Sequence, residues 1–453
     1  MKGTEHYDLV VVGGGIAGLY CCLHAPAGLR IALLEATHRI GGKIETVPME
    51  GFQAEYGAMR FDPLHQPMVG ELLRDLHLET EPFPEYNSPS VRERRTKYDL
   101  AAEEKNLNAL ELFTRAIGRV LGRSESELMN LTPPELEDLR RHGRYGDRPL
   151  WEQGLWNVLS DLLSPDAIKY IVNDGSFFHL IHENPGAAGW MLTWVTMLQM
   201  SPHLRGVQGG MERITEQMLA RVKDKGIEVH LNHPLQAVTP AGRKVTLILG
   251  AGQCTANHVV LAIPAYSVRA VRGLPDDIRT LSHAVLRLPL LKCFFVVKDP
   301  WWREDTPNRG IGDLPARELH YYRQANRGNI MVYADRPCLN FWGRYVPPGY
   351  HDRARINRDP ELPLAFARRM KIDPATILAY GIRDWGREPY GGAGHLWRPG
   401  FEPWNVSDRL EAFSLTGGGP PNVHICGEAF SDFQGFMEGA LRSARRALTK
   451  ALG

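Results

Sequence analysis

An α/β fold is predicted by three features of the chain. An apolar run at residues 8–12 leads into Gly13-Gly14-Gly15-Ile16-Ala17-Gly18, a helical pattern through His24, and a second β-type run at 31–34 that ends in Glu35. A block from about residue 71 to 194 reads as helical, and beyond it short β runs alternate with helices almost to the end. With 453 residues, the chain has room for two or three domains and a sizeable interior.

Taken in order, the first unit is strand, glycine turn, helix, strand and acid, with Pro26 and Gly28 breaking the helix. In the helical block, Thr132-Pro133-Pro134-Glu135 reads as a capping box with proline in the first turn, and Ser164-Pro165 marks another start. Residues 92–148 intersperse both charge signs, the pattern of solvated helix faces. Met211, Ile214, Met218, Leu219 and Val222 recur at helical spacing before Gly226. Strands are expected at 227–231, 245–249, 258–263, 290–297, 330–333 and 423–426, and a last helix is expected to open at Gly435, with Leu441, Ala444 and Leu448 on its apolar face.

Composition removes several classes of function. Lys+Arg 53 against Asp+Glu 52 leaves a net charge of +1, so nucleic acid and anionic membranes have no bulk attraction to this chain. Six scattered cysteines without a CxxC pair read as free thiols in a reducing, cytoplasmic compartment rather than a disulfide framework or zinc ribbon. The least charged stretch, 9–23, is too short and glycine-rich to span a bilayer, and Glu5 and Asp8 ahead of it disfavour a signal peptide. His179, His182 and Glu183 lack a second ligand cluster, so no metal site is expected.

The glycine turn carries chemistry. Gly13, Gly15 and Gly18 supply the tight turn, the close approach to a pyrophosphate and the close helix-to-sheet contact of a Rossmann-like dinucleotide site. The pyrophosphate would rest on the amides of the helix N-terminus, where Ile16 and Ala17 lie, and Glu35 would hydrogen-bond a ribose. A carboxylate there disfavours a 2′-phosphate, which leaves FAD or NAD.

The segment from Glu35 and Ala36 through Arg39, Gly41, Gly42 and Lys43 resembles the glycine-rich extension of the flavin amine oxidase family, E-A-x-x-R-x-G-G-[RK]. At the other end, Ile425-Cys426-Gly427-Glu428-Ala429 and Gln434-Gly435-Phe436-Met437-Glu438-Gly439-Ala440 resemble its C-terminal flavin segment. The resemblance is dense in these terminal blocks and thin in the helical block. It implies noncovalent FAD, since the cysteine that monoamine oxidases bond to flavin is missing. The cofactor set it implies adds Gly57, Ala58, Met59, Arg60, Val238, Gly427, Glu428, Gly435, Phe436, Met437 and Ala440 to the residues above.

Gly57-Ala58-Met59-Arg60, preceded by Glu55, looks like the G-[AP]-M-R segment of L-amino acid oxidases and tryptophan 2-monooxygenase, in which the arginine binds the substrate carboxylate. A guanidinium fork in a dry pocket suits that task. Lys292, alone in an apolar strand, matches the family's lysine that holds a water beside the flavin. Within Tyr390-Gly391-Gly392-Ala393-Gly394-His395-Leu396-Trp397, the family's aromatic cage would map to His395 and Phe436, with Trp397 contributing.

The resemblance therefore implies oxidative deamination of an L-amino acid to a 2-oxo acid, ammonia and hydrogen peroxide. Hydride would pass from the substrate Cα to flavin N5, oxygen would be the second substrate, and a homodimer is expected. The alternatives are an amino acid 2-monooxygenase, an amine or polyamine oxidase, and a noncatalytic flavoprotein. The expected layout is an FAD-binding domain of residues 1–70, 201–285 and 405–453, a helical insertion at 71–200, and a mixed-sheet substrate domain at 286–404. Phe178, Trp190 and Trp194 read as helix core.

Overall fold

The computed structural model describes residues 5–83, 97–174, 183–200, 203–302, 309–310, 315–316, 318–336, 338–346, 359–387, 391–416 and 418–453. Tyr390, Phe178, His179 and His182 lie outside the described residues.

The largest sheet has seven strands drawn from distant parts of the chain. Glu5–Val12 sits at its centre, parallel to Ile31–Leu34 on one side and to Gly252–Leu261 on the other. Glu228–His230 extends the parallel side beyond Ile31–Leu34. Val423–Ile425 joins parallel to Gly252–Leu261, and an antiparallel meander of Leu235–Ala241 and Lys244–Leu249 completes the other edge. The parallel strands are buried on both faces, which is why 8–12 and 31–34 read as continuous apolar runs rather than alternating ones. One core packs helices Ile16–His24, Glu212–Asp224 and Met437–Leu452 on one face; the other lies between the opposite face and helix Pro403–Glu411.

The helical block forms its own core around Phe113, Leu159, Tyr170 and Trp194, and two of its helix starts are those the sequence marks. Thr132 N and Oγ1 both donate to Glu135, and Ala167 N donates to Ser164 Oγ. Trp190 and Trp194 are core residues of this block. Its chain enters and leaves through one short antiparallel pair, Thr80–Pro82 with Arg205–Val207.

A five-stranded antiparallel sheet stands beside the nucleotide half, with Leu291–Lys298 between Arg327–Ala334 and Ile377–Asp384. One face is sealed by Trp342, Phe366 and their neighbours, and the other meets the hairpin Thr46–Met49 and Phe52–Glu55. The last helix begins at Met437, two residues later than the sequence pattern suggests, because Gly435 takes a left-handed φ of 85°. All six cysteines are free, and all but Cys338 are buried.

Candidate active site

The dinucleotide turn is assembled from backbone. Gly13 has φ +107°, and a Cβ placed on it would lie 2.4 Å from Ala262 O. A Cβ on Gly18 would lie 1.9 Å from Gly13 O, so the helix can approach the first strand only because residue 18 has no side chain. Helix Ile16–His24 starts at Gly15 without a side-chain cap, and leaves its first amides, those of Ile16 and Ala17 among them, for a ligand. Glu35 is anchored at both oxygens: Gly14 N donates to Oε2 at 2.7 Å, and Thr37 N and Oγ1 donate to Oε1 at 2.9 Å. Glu35 N donates to His230 O and His233 N donates to Glu35 O, a backbone pairing that sequence spacing does not reveal.

The glycine-rich extension folds against the turn. Gly41 N donates to Gly14 O at 2.8 Å, and Gly42, at φ +55°, faces Gly15. Arg39 staples this loop, donating to the carbonyls of Ile40, Ile44 and Gly42 and standing 3.9 Å from Glu45. Ala36 is half-buried beside Glu35. Val238 lies in the antiparallel meander, on strand Leu235–Ala241 that follows His233, and its amide donates to Arg272 O.

Glu428 is the hub of the C-terminal segment. It accepts from Lys43 Nζ at 2.8 Å, His395 Nδ1 at 3.0 Å, His395 N at 3.1 Å and Gly435 N at 2.8 Å. Burial alone would raise its pKa, but Lys43 and His395 outweigh that and hold the carboxyl well below the usual range. The same burial lowers the pKa of His395, which Glu428 only partly offsets. An ionised carboxylate on Nδ1 makes that nitrogen the donor and leaves Nε2 as a bare lone pair, buried without a hydrogen-bond partner. With 1% exposure, His395 is enclosed, and Trp397 is also internal, its indole donating to Ser431 O and its amide to Gln434. Phe436 is half-buried against Phe433 at 5.2 Å, while Met437 and Ala440 are buried at the start of the last helix.

The substrate-side sheet brings Lys292 to Gly57–Arg60. Lys292 Nζ donates to Glu55 O at 2.9 Å, Gly57 O at 2.6 Å and Met59 Sδ at 3.4 Å, and stands 5.1 Å from the Tyr333 ring. Burial pushes its pKa down to about 7, against the opposing pull of Glu55 and with the help of Arg60. Gly57 is obligatory, since a Cβ there would lie 1.7 Å from Lys43 O, and Ala58 N donates to the same carbonyl. Arg60 is half-buried, with its guanidinium 5.3 Å from the centre of the Phe83 ring.

Sequence reasoning missed a second buried charge beside Lys292. Arg383 is its register partner on the next strand and forms a bidentate pair with Glu45, at 2.7 and 2.5 Å, in which both side chains are almost fully enclosed. A signal was present: Arg383 is the one basic residue in strand Ile377–Asp384, as Lys292 is in residues 290–297.

These residues fit FAD. Both glycine turns leave room for it: a Cβ on Gly427 or Gly435 would meet nothing within 4 Å, and one on Gly15 would meet only Gly42 Cα at 3.8 Å. Two helix N-termini, at Gly15 and Phe436, lack side-chain caps and suit the pyrophosphate and the electron-rich pyrimidine edge of a flavin. Among the described residues there is no cluster of three metal-ligating side chains, and no helix is long and apolar enough to cross a membrane.

Comparison with known proteins agrees with this geometry. The profile of flavin-containing amine oxidoreductases matches residues 16–449. An L-amino-acid oxidase of Gloydius blomhoffii is 21% identical, with 99% of this chain and 89% of the relative covered, and L-amino acid oxidase Cdc18 of Crotalus durissus cumanensis is 24% identical over 97% and 89%. Among solved structures, wild-type putrescine oxidase bound to putrescine superposes with a TM-score of 0.70, at 19% identity and 99% coverage of both chains. The chain belongs to the flavin-containing amine oxidoreductase family, whose members are FAD-dependent enzymes.

Proposed function

We propose that this enzyme oxidises an L-amino acid to the imino acid, which hydrolyses to a 2-oxo acid and ammonia, with oxygen reduced to hydrogen peroxide. The carrying observation is the convergence of two cations, Arg60 and Lys292, on one segment: Lys292 grips the carbonyls of Glu55 and Gly57, and Arg60 is close enough to lower its pKa. That arrangement suits a substrate with an acid end. The relatives named L-amino acid oxidases support the same reading.

Bound FAD supplies the two-electron acceptor and passes the electrons to oxygen. Gly13–Gly18, Glu35 and Gly41–Lys43 would hold its adenosine and pyrophosphate, and Gly427–Ala440 its flavin end. Arg60 would orient the substrate through its carboxylate in a bidentate pair. Two neighbouring cations disfavour an ammonium group, so they shift the bound amino group toward the neutral form from which oxidation proceeds. No general base is then needed.

A peroxide-coupled screen of L- and D-amino acids, with decarboxylated analogues as controls, tests the reading. Turnover of L-amino acids and little turnover of the analogues is expected. Equal turnover of simple amines or diamines would instead make it an amine oxidase, and release of carbon dioxide with an amide would make it a monooxygenase. Arg60→Ala is expected to lower kcat/KM by about 10²- to 10³-fold, equivalent to about 3–4 kcal/mol of transition-state binding. Unchanged kinetics in that variant would remove Arg60 from the site.

A further inference from the structure

The glycine-rich extension and the Gly57–Arg60 segment are the two arms of one ribbon. Its closed end is the hairpin Thr46–Met49 and Phe52–Glu55. Two further backbone bonds continue it at the open end: Tyr56 N donates to Glu45 O and Ala58 N to Lys43 O, both at 3.0 Å. One arm therefore comes straight from Gly41–Lys43, and the other runs on to Arg60. The nucleotide half holds the ribbon by Gly41 N on Gly14 O, Thr46 N on Glu212 and Met211 N on Glu55.

The five-stranded sheet grips the same ribbon from two adjacent strands. On Leu291–Lys298, Lys292 Nζ donates to the carbonyls of Glu55 and Gly57. On Ile377–Asp384, its register partner Arg383 holds both oxygens of Glu45, at 2.7 and 2.5 Å. Trp385, one residue past that strand, donates its indole N–H to Tyr56 O at 2.6 Å, and its ring lies 5.0 Å from the Arg383 guanidinium. Of these contacts the ion pair is the most demanding. Two parallel N–H···O bonds fix distance and plane together, which a lone ammonium or indole N–H does not. Glu45 and Arg383 are 0% and 3% exposed, and Glu45 Oε1 also stands 3.9 Å from Arg39, the staple of the glycine-rich loop. The carboxylate thus lies between a cation of the cofactor loop and a cation of the substrate-side sheet. Apolar side chains of similar volume often replace an enclosed ion pair without loss of stability; a fixed geometry is what they do not supply.

We propose that Arg383 is a positioning residue for the oxidation: through its bidentate pair with Glu45 it locks the substrate-side sheet onto the ribbon that joins the cofactor loop to Gly57–Arg60. The pair sets how Lys292 and the strands beside it stand relative to the flavin site, while the ribbon keeps its own bonds to the nucleotide half. Arg383 acts through Glu45 and touches neither substrate nor cofactor. This role rests on the glycine turn and the Lys292 face being the two sides of the flavin site, as in the proposed function, and is independent of which substrate is oxidised.

The test compares FAD-loaded wild type, R383A, R383K and E45L/R383M by melting temperature, by hydrogen–deuterium exchange of peptides spanning residues 43–60, and by the rate of flavin reduction with the best substrate of the peroxide screen. E45L/R383M is expected to melt well above R383A. Its Tyr56 and Ala58 amides should nevertheless exchange about tenfold faster than in the wild type, the scale of losing one hydrogen bond to a charged group. Its flavin reduction should slow by about 10- to 10²-fold, the scale of a misplacement near 1 Å. R383K keeps the charge but not the fork, and should show the same two changes in weaker form. Wild-type exchange and reduction in E45L/R383M would make the pair a mere filler of space and overturn the proposal. So would exchange and reduction that follow melting temperature across all the variants, since a purely structural pair moves the three together. Should E45L/R383M not fold, R383K decides alone, and wild-type behaviour in it overturns the proposal. A wild type whose flavin no amino acid or amine reduces sinks the functional reading, and the exchange data then decide the role of Arg383 by themselves.

Discussion

The dinucleotide turn and the sheet face around Lys292 solve opposite problems. At the turn, Gly13, Gly15 and Gly18 work by having no side chain, and the polar groups offered to a ligand are mainly backbone amides. At the sheet face, Lys292, Arg383, Glu45 and Glu55 come from distant parts of the chain, and each has a charge whose cost depends on the others. The first site is fixed by local covalent geometry. The second is an electrostatic balance that exists only after folding.

The largest effect is expected at the turn. Gly18→Val places a side chain where even a Cβ would lie 1.9 Å from Gly13 O, so the helix must leave the sheet. A loss of about 3 kcal/mol or more in stability is expected, together with loss of FAD, read by denaturant unfolding and by colourless protein after gel filtration. Retained FAD at wild-type stability would show that the turn tolerates bulk and would break the contrast.

On the sheet face, Arg383→Ala strips the partner from the enclosed Glu45 carboxylate and is expected to destabilise the fold by about 3–5 kcal/mol in the worst case, and by less if Arg39 closes on the vacated carboxylate. Replacing both members, as in Glu45→Leu with Arg383→Met, should cost clearly less than the single change, because no charge is left enclosed without its partner. A double-mutant cycle from urea melts measures this, and strict additivity would refute the balance.

A stability minimum near neutrality is expected as well. The pKa of Glu55 is raised, so the folded state holds its proton longer than the unfolded chain, and stability falls as pH rises from about 4.5 to about 7. The pKa of Lys292 is lowered, so the folded state releases its proton earlier, and stability recovers as pH rises from about 7 toward 10.5. Melting temperatures across that range should lose the minimum in E55Q/K292M, while a profile unchanged in that variant would detach it from this pair.

The same contrast explains what was legible in the sequence. The turn could be read because its residues are neighbours in the chain and each glycine has a local geometric reason. The capping residues Thr132 and Ser164 were readable for the same cause. Lys292 stood out as a cation in an apolar strand, but its partners could not be named, because Glu55, Gly57 and Met59 reach it only through the register of a hairpin packed across a sheet. The position of the strand that carries Val238 could not be read either, because strand order is not written in local pattern. The partners of His395 and Trp397, which are Glu428, Ser431 and Gln434, could not be named either, since a loop motif does not show which way its side chains turn.

The paired stem of Thr80–Pro82 and Arg205–Val207 has a consequence for how this architecture can diversify. A block that leaves and rejoins the body at one doorway can be lengthened, trimmed or exchanged with little effect on chain connectivity, since doubling a loop adds only about 0.6 kcal/mol of closure entropy. Novel appetites could thus be grafted onto an unchanged redox engine.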